Sequence, residues 1–206
     1  MGRKHLHSLG HHNTALITLC LFLFLLFVPV SSRAAEQPAP VVVIQTSMGN
    51  IEVELNAEKA PNTVKNFLQY VNDHFYDGTI FHRVMYGFMI QGGGFTKEME
   101  QKKSREAIAS EAGNGLKNER GTIAMARTDD PHSATSQFFI NTRDNYRLNY
   151  YAPTTKGYGY TVFGKVTSGM DVVDKIEIVK TVSRGNFDDV PANPVMIEMI
   201  SLKQVP

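Results

Sequence analysis

The chain has 206 residues, with 21 Lys and Arg against 20 Asp and Glu, and a single cysteine. That length fits one domain, and the near balance of charge gives no electrostatic reason to expect nucleic acid as a partner. With one thiol there is no internal disulfide, so any fold must rest on its core.

Residues 1–13 carry Arg3, Lys4 and four His without an acid. Residues 15–28 read ALITLCLFLFLLFV, and Ser32 and Ala34 follow. Basic, apolar and small-residue zones in that order predict a secretory signal peptide over residues 1–34, cut after Ala34. The competing reading is an uncut membrane anchor, for which the apolar run is short. A lipoprotein signal at Cys20 would want a small residue where Leu19 stands. Cutting removes three of the 21 bases and no acid, which leaves a net charge of about −2. It also removes Cys20, so the exported part has no thiol to mispair in an oxidising compartment. In a two-membrane bacterium that compartment is the periplasm. No stable membrane association is expected after the cut. Residues 35–40 read as a linker and 41–206 as the domain, about 170 residues that bury roughly 70% of their unfolded surface.

VVVIQT (Val41 to Thr46) and IEVEL (Ile51 to Leu55) flank the turn SMGN. Ile51, Val53 and Leu55 share one face and Glu52 and Glu54 the other, which predicts a hairpin with one wet face. APNTVKNFLQYVND then changes period. Pro61 suits a first helical turn, and Val64, Phe67, Leu68 and Val71 form one apolar stripe. Thr96 to Arg120 lacks periodicity and reads as a long surface loop. GTIAMA, SQFFIN, TVFGKV and PVMIEMISL read as strands, and GMDVVDKIEIV has helical spacing. Many short strands, two helices and no βαβ alternation predict a mainly antiparallel sheet closed into a barrel with helices capping its ends.

FHRVMYGFMIQGGGF (Phe81 to Phe95) supplies Phe81, Arg83, Phe88, Met89 and Gln91, but no Ser, Cys, Asp or Glu. Met125, Gln137, Phe138, Phe139, Tyr146 and Leu148 have the same apolar-and-polar character. Strand alternation puts Phe81 with Arg83, Met89 with Gln91, and Gln137 with Phe139. The triple glycine lacks the G-x-x-x-x-G-K spacing of a phosphate loop. Outside the signal, His74, His82 and His132 show no metal-ligand spacing, so neither metal nor cofactor is expected. Taken singly, the apolar residues would be core and Arg83 a surface ion pair.

In order and spacing, FHRVMYGFMIQGGGF, GTIAMART, SQFFIN and VFGKV resemble the cyclophilin-type peptidyl-prolyl isomerases, over roughly Val41 to Leu202. MART…SATSQFFIN and the signal are most similar to exported bacterial members. The resemblance implies a closed eight-stranded antiparallel β-barrel with two α-helices and a proline pocket on its outer wall. It implies Arg83 as the catalytic residue, with Gln91 and Phe88 beside it. Met89, Phe139 and Leu148 would line the pocket. Ala126, Met125, Gln137 and His82 would lie at or near it, and the Arg127 backbone would hold the peptide. Tyr160 stands where many relatives carry a His. The expected partners are Pro-containing segments of folding exported proteins, bound by a monomer. A non-catalytic module that holds such segments is the alternative. The presence of Arg83 and Gln91 favours the enzyme.

Overall fold

A computed structural model describes residues 39–204; the signal peptide and its cleavage site lie outside them. The first hairpin follows the sequence pattern. β1 (Val41–Thr46) and β2 (Gly49–Leu55) pair antiparallel, with Val42 opposite Val53 and Ile44 opposite Ile51. These four are fully buried, while Glu54 is exposed. β3 (Thr79–Met85), β4 (Met89–Thr96), β5 (Thr122–Met125), β6 (Phe138–Asn141), β7 (Val162–Ser168) and β10 (Met196–Leu202) complete a closed eight-stranded antiparallel barrel. Its order is β1-β10-β3-β4-β6-β5-β7-β2. Closure leaves no open edge to template aggregation.

The interior is mostly aliphatic, with a cluster of aromatic rings inside it. Helix α1 (Pro61–Asn72) drives Phe67 to within 5.2 Å of the Tyr76 and Phe163 rings and 5.7 Å of Phe138. Helix α2 (Met170–Glu177) adds Val172, Val173 and Ile176 to the same core. Among the described residues no helix is long and apolar enough to cross a membrane.

The stretch from Lys97 to Arg120 has no regular element, but it is tied to the barrel. Ala60 precedes α1 and supplies no side-chain cap. Glu111 does so instead. Its carboxylate accepts hydrogen bonds from the Asn62 and Thr63 backbone N–H groups (3.1 and 2.9 Å) and from the Thr63 hydroxyl (2.7 Å). A carboxylate there satisfies orphan donors and opposes the positive end of the helix dipole. Glu111→Ala is therefore expected to cost about 1–2 kcal/mol in urea unfolding, the scale of a lost N-cap. A stability within a few tenths of the parent would show that the cap is idle.

β8 (Thr181–Arg184) and β9 (Phe187–Pro191) form a separate two-stranded sheet, which the sequence reading did not foresee. Its turn is the two-residue Gly185-Asn186, since Arg184 pairs with Phe187. Gly185 is left-handed at φ 58°, the conformation that short hairpin turns demand.

Candidate active site

Strand β3 does not alternate regularly. Phe81 lies opposite Gly92 and Arg83 opposite Gln91, so two steps on β3 span one on β4. This is a β-bulge, a device that re-aims side chains. Phe81 therefore points into the barrel, fully buried and edge-on to Phe138. His82 and Arg83, though adjacent, both line a cleft outside it. The expectation that Phe81 and Arg83 share a face is corrected by that extra residue.

The other alternations hold. Met89 and Gln91 line the cleft, while Ile90 between them belongs to the core. Gln137 and Phe139 line it too, and Phe138 faces inward. Gln91 Nε2 donates to Gln137 Oε1 at 3.0 Å. A Cβ on Gly94 would sit 2.5 Å from Gln137 Cγ, so this glycine makes room for that glutamine rather than for a phosphate.

Met89, Ala124, Phe139 and Val162 form a small buried cluster on the outer wall, with Phe88, Ala126, Leu148 and Tyr160 packed around it. Phe139 meets Tyr160 edge-on at 5.5 Å, and the Arg127 guanidinium lies 4.7 Å from the Tyr160 ring centre. Arg127 Nε donates to the Gly159 carbonyl at 2.8 Å, which fixes that side chain as a strut. The cleft has a volume of about 630 Å³. It gathers His82, Arg83, Phe88, Met89, Gln91, Ala126, Arg127, Gln137, Phe139, Leu148 and Tyr160. Met125, expected among them, is absent. It lies opposite Phe138 and its side chain belongs to the barrel core, because alternation along β5 sends it inward between Ala124 and Ala126.

Six lining residues escaped the sequence reading: Phe95, Gln101, Asn186, Phe187, Asp188 and Asp189. The last four come from the β8–β9 hairpin. A Gly-Asn pair between TVSR and FDDV is a hairpin signal, and it was the one clue available. Among the described residues no group of three His, Cys, Asp or Glu gathers as a metal site would.

A chain of asparagines fastens two walls of the cleft from behind. Asn141 is fully buried. It donates to Asn118 Oδ1 (3.2 Å) and Thr122 Oγ1 (2.9 Å) and accepts from Asn145 Nδ2 (2.8 Å). Asn145 in turn donates to the Phe88 carbonyl at 2.8 Å, and Asn118 to the Leu148 carbonyl at 3.0 Å.

His82 is 4% exposed and its ring lies 4.6 Å from that of Phe95. Its Nδ1 has no partner among the described residues. Burial first, then the charge of Arg83, pushes the imidazole down to about 4, against a backbone hydrogen bond with Ile80 that pushes it up. It is therefore neutral at pH 7. An unfolded imidazole takes up its proton near 6.5, so the stability tied to neutral His82 is intact above that pH. It drains away as pH falls toward 4. The expected loss is about 2–3 kcal/mol between pH 7 and 4.5, and His82→Gln should remove most of it. Urea melts at both pH values give the slopes; equal slopes in the two proteins would rule His82 out as the group.

The family model described as "Cyclophilin type peptidyl-prolyl cis-trans isomerase/CLD" matches residues 41–202. The chain is 59% identical over 157 residues to "Peptidyl-prolyl cis-trans isomerase cyp18" of Streptomyces antibioticus, covering 76% of this chain and 95% of that protein. It is 54% identical over 164 residues to "Peptidyl-prolyl cis-trans isomerase B" of Escherichia coli K12, covering 80% of this chain and all of that protein. A solved Cryptosporidium parvum cyclophilin-type isomerase superposes with a TM-score of 0.67 at 27% identity, covering 82% of this chain and 99% of its own. The closed barrel thus has named counterparts in sequence and in structure. The chain belongs to the cyclophilin-type peptidyl-prolyl cis-trans isomerases, and it is an enzyme of that class.

Proposed function

We propose that this enzyme turns X-Pro peptide bonds in exported proteins as they fold, acting as a monomer outside the cytoplasmic membrane, with Arg83 as the group that lowers the barrier. One observation carries the site assignment: the Arg83 guanidinium opens onto the same cleft as the apolar wall of Phe88, Met89, Phe139 and Leu148. An X-Pro amide resists rotation because its resonance must break, a barrier of ~18–20 kcal/mol. Nothing is cut or transferred, so no nucleophile is required. At the twisted midpoint the prolyl nitrogen recovers a lone pair that the planar amide lacks. A donor aimed there binds the midpoint better than either end state, which is the condition for catalysis.

Each neighbour has a task in this scheme. The apolar wall grips the proline ring while the rest of the peptide turns, and the bound peptide covers part of the water-exposed Arg83, which strengthens its field. Gln91 uses one amide hydrogen on Gln137, which leaves its carbonyl and second hydrogen for the peptide. The Arg127 strut holds Tyr160 at the rim. Neutral His82 adds no second charge beside Arg83.

A protease-coupled assay on a short X-Pro peptide tests the reaction; an uncatalysed time course with folded protein would overturn it. The export reading rests on the order of zones in residues 1–34. N-terminal sequencing of protein recovered outside the cytoplasm should start near Ala35, and an intact Met1 in a membrane fraction would refute it.

A further inference from the structure

The β8–β9 hairpin brings two acids to the cleft that nothing above uses. Consecutive strand residues normally face opposite sides, yet Asp188 and Asp189 both line it. The reason is local: Asp189 is left-handed, at φ 60°, which breaks the alternation of β9. The hairpin is anchored on either side of this residue. Phe187 packs edge-on against Phe95 at 5.2 Å, and Val190 is 1% exposed. Asp188 is already engaged, accepting from the Ser183 hydroxyl at 2.6 Å. Asp189 instead faces the guanidinium, with Oδ2 3.8 Å from Arg83 Nε.

We propose that Asp189 is a positioning residue: its carboxylate, in ion-pair contact at 3.8 Å rather than hydrogen-bonded, draws the Nε edge of Arg83 toward β9, so that the two Nη groups are presented to the X-Pro bond. This rests on the reading of Arg83 given above. Arginine carries its donors in a rigid planar fork, so fixing one edge orients the others. A long side chain on an open cleft wall otherwise samples several rotamers, most of which aim away from the substrate. The contact is partly exposed and adds little to fold stability. Its effect falls on turnover, where a small misplacement of the donor is felt.

Asparagine and glycine both accept a left-handed backbone, so Asp189→Asn and Asp189→Gly remove the charge without straining the hairpin. Each should lower kcat about fivefold, the upper end for one partly exposed ion pair, with KM within twofold and the melting temperature unchanged. Exchange NMR at high enzyme concentration reads the slow variants. In an Arg83→Ala background, Asp189→Asn should cost nothing more, and in the otherwise unchanged protein it should move the Arg83 Nε–H resonance. Normal kcat in either single variant, an equal fivefold loss without Arg83, an unmoved resonance, or a loss that tracks a lower melting temperature overturns the proposal. If Arg83→Ala alone keeps full turnover, the reading of Arg83 has failed instead, and the two failures are told apart by that one measurement.

Discussion

Arg83→Ala is expected to lower kcat by about 30- to 1000-fold, a cost of about 2–4 kcal/mol on the scale of one lost transition-state donor. Peptide affinity should stay within a few fold. The division follows from the chemistry. The planar prolyl nitrogen has no lone pair to accept a hydrogen bond, so the bound substrate in its ground state gains little from the guanidinium. An interaction made chiefly at the midpoint shows in kcat rather than in binding. Arg83→Lys should restore only part of the loss, because a point charge on a flexible stem replaces a planar fork. The variant should fold normally, since the side chain lies in the cleft rather than in the barrel interior. Turnover near normal in Arg83→Ala would sink the mechanism, and an equal loss in affinity would place the residue's action on the ground state.

Asn141→Leu should have the largest effect on stability. The substitution keeps the branched shape of the side chain but enlarges it at a fully buried position, and it removes the three hydrogen bonds to Asn118, Thr122 and Asn145. Buried polar groups that lose a partner cost about 1–3 kcal/mol each. Some will re-pair, so about 2–4 kcal/mol is expected in all, or roughly 5–15 °C in Tm for a domain of this size. KM should rise as well, because the network anchors the carbonyls of Phe88 and Leu148. A Tm within 2 °C of the parent would mean that the network carries no load.

What was legible in the sequence was what is periodic. The β1–β2 hairpin and the stripe of α1 could be read because one face is wet and the other dry. The pairs Met89 with Gln91 and Gln137 with Phe139 could be placed because β4, and the extended chain from Gln137 into β6, alternate without interruption there. Met125 was placed by its apolar character and by the resemblance, neither of which says which way a side chain points, and it falls on the inward face of β5. The bulge in β3 has no sequence signature, since Phe, His, Arg and Val in a row suit an ordinary strand. The β8–β9 hairpin was hidden by its polar residues, which carry no alternation to read. The role of Glu111 was hidden by distance, because the backbone group it caps at Asn62 lies 49 residues away along the chain. Contacts between segments without a period leave no local trace.

The bulge sets apart what the barrel requires from what the reaction requires. Phe81 and Val84 both reach the core, three positions apart where an unbroken ladder would place them two apart. Dropping one residue between them would remove this bulge and leave Phe81 and Val84 both facing the core. A single outward position would then stand where His82 and Arg83 stand now. Either His82 or Arg83 would then be lost from the cleft through a change of length, with no change of composition in the core. In a relative of this fold, the number of residues between those two core positions would therefore tell whether both outward positions are present.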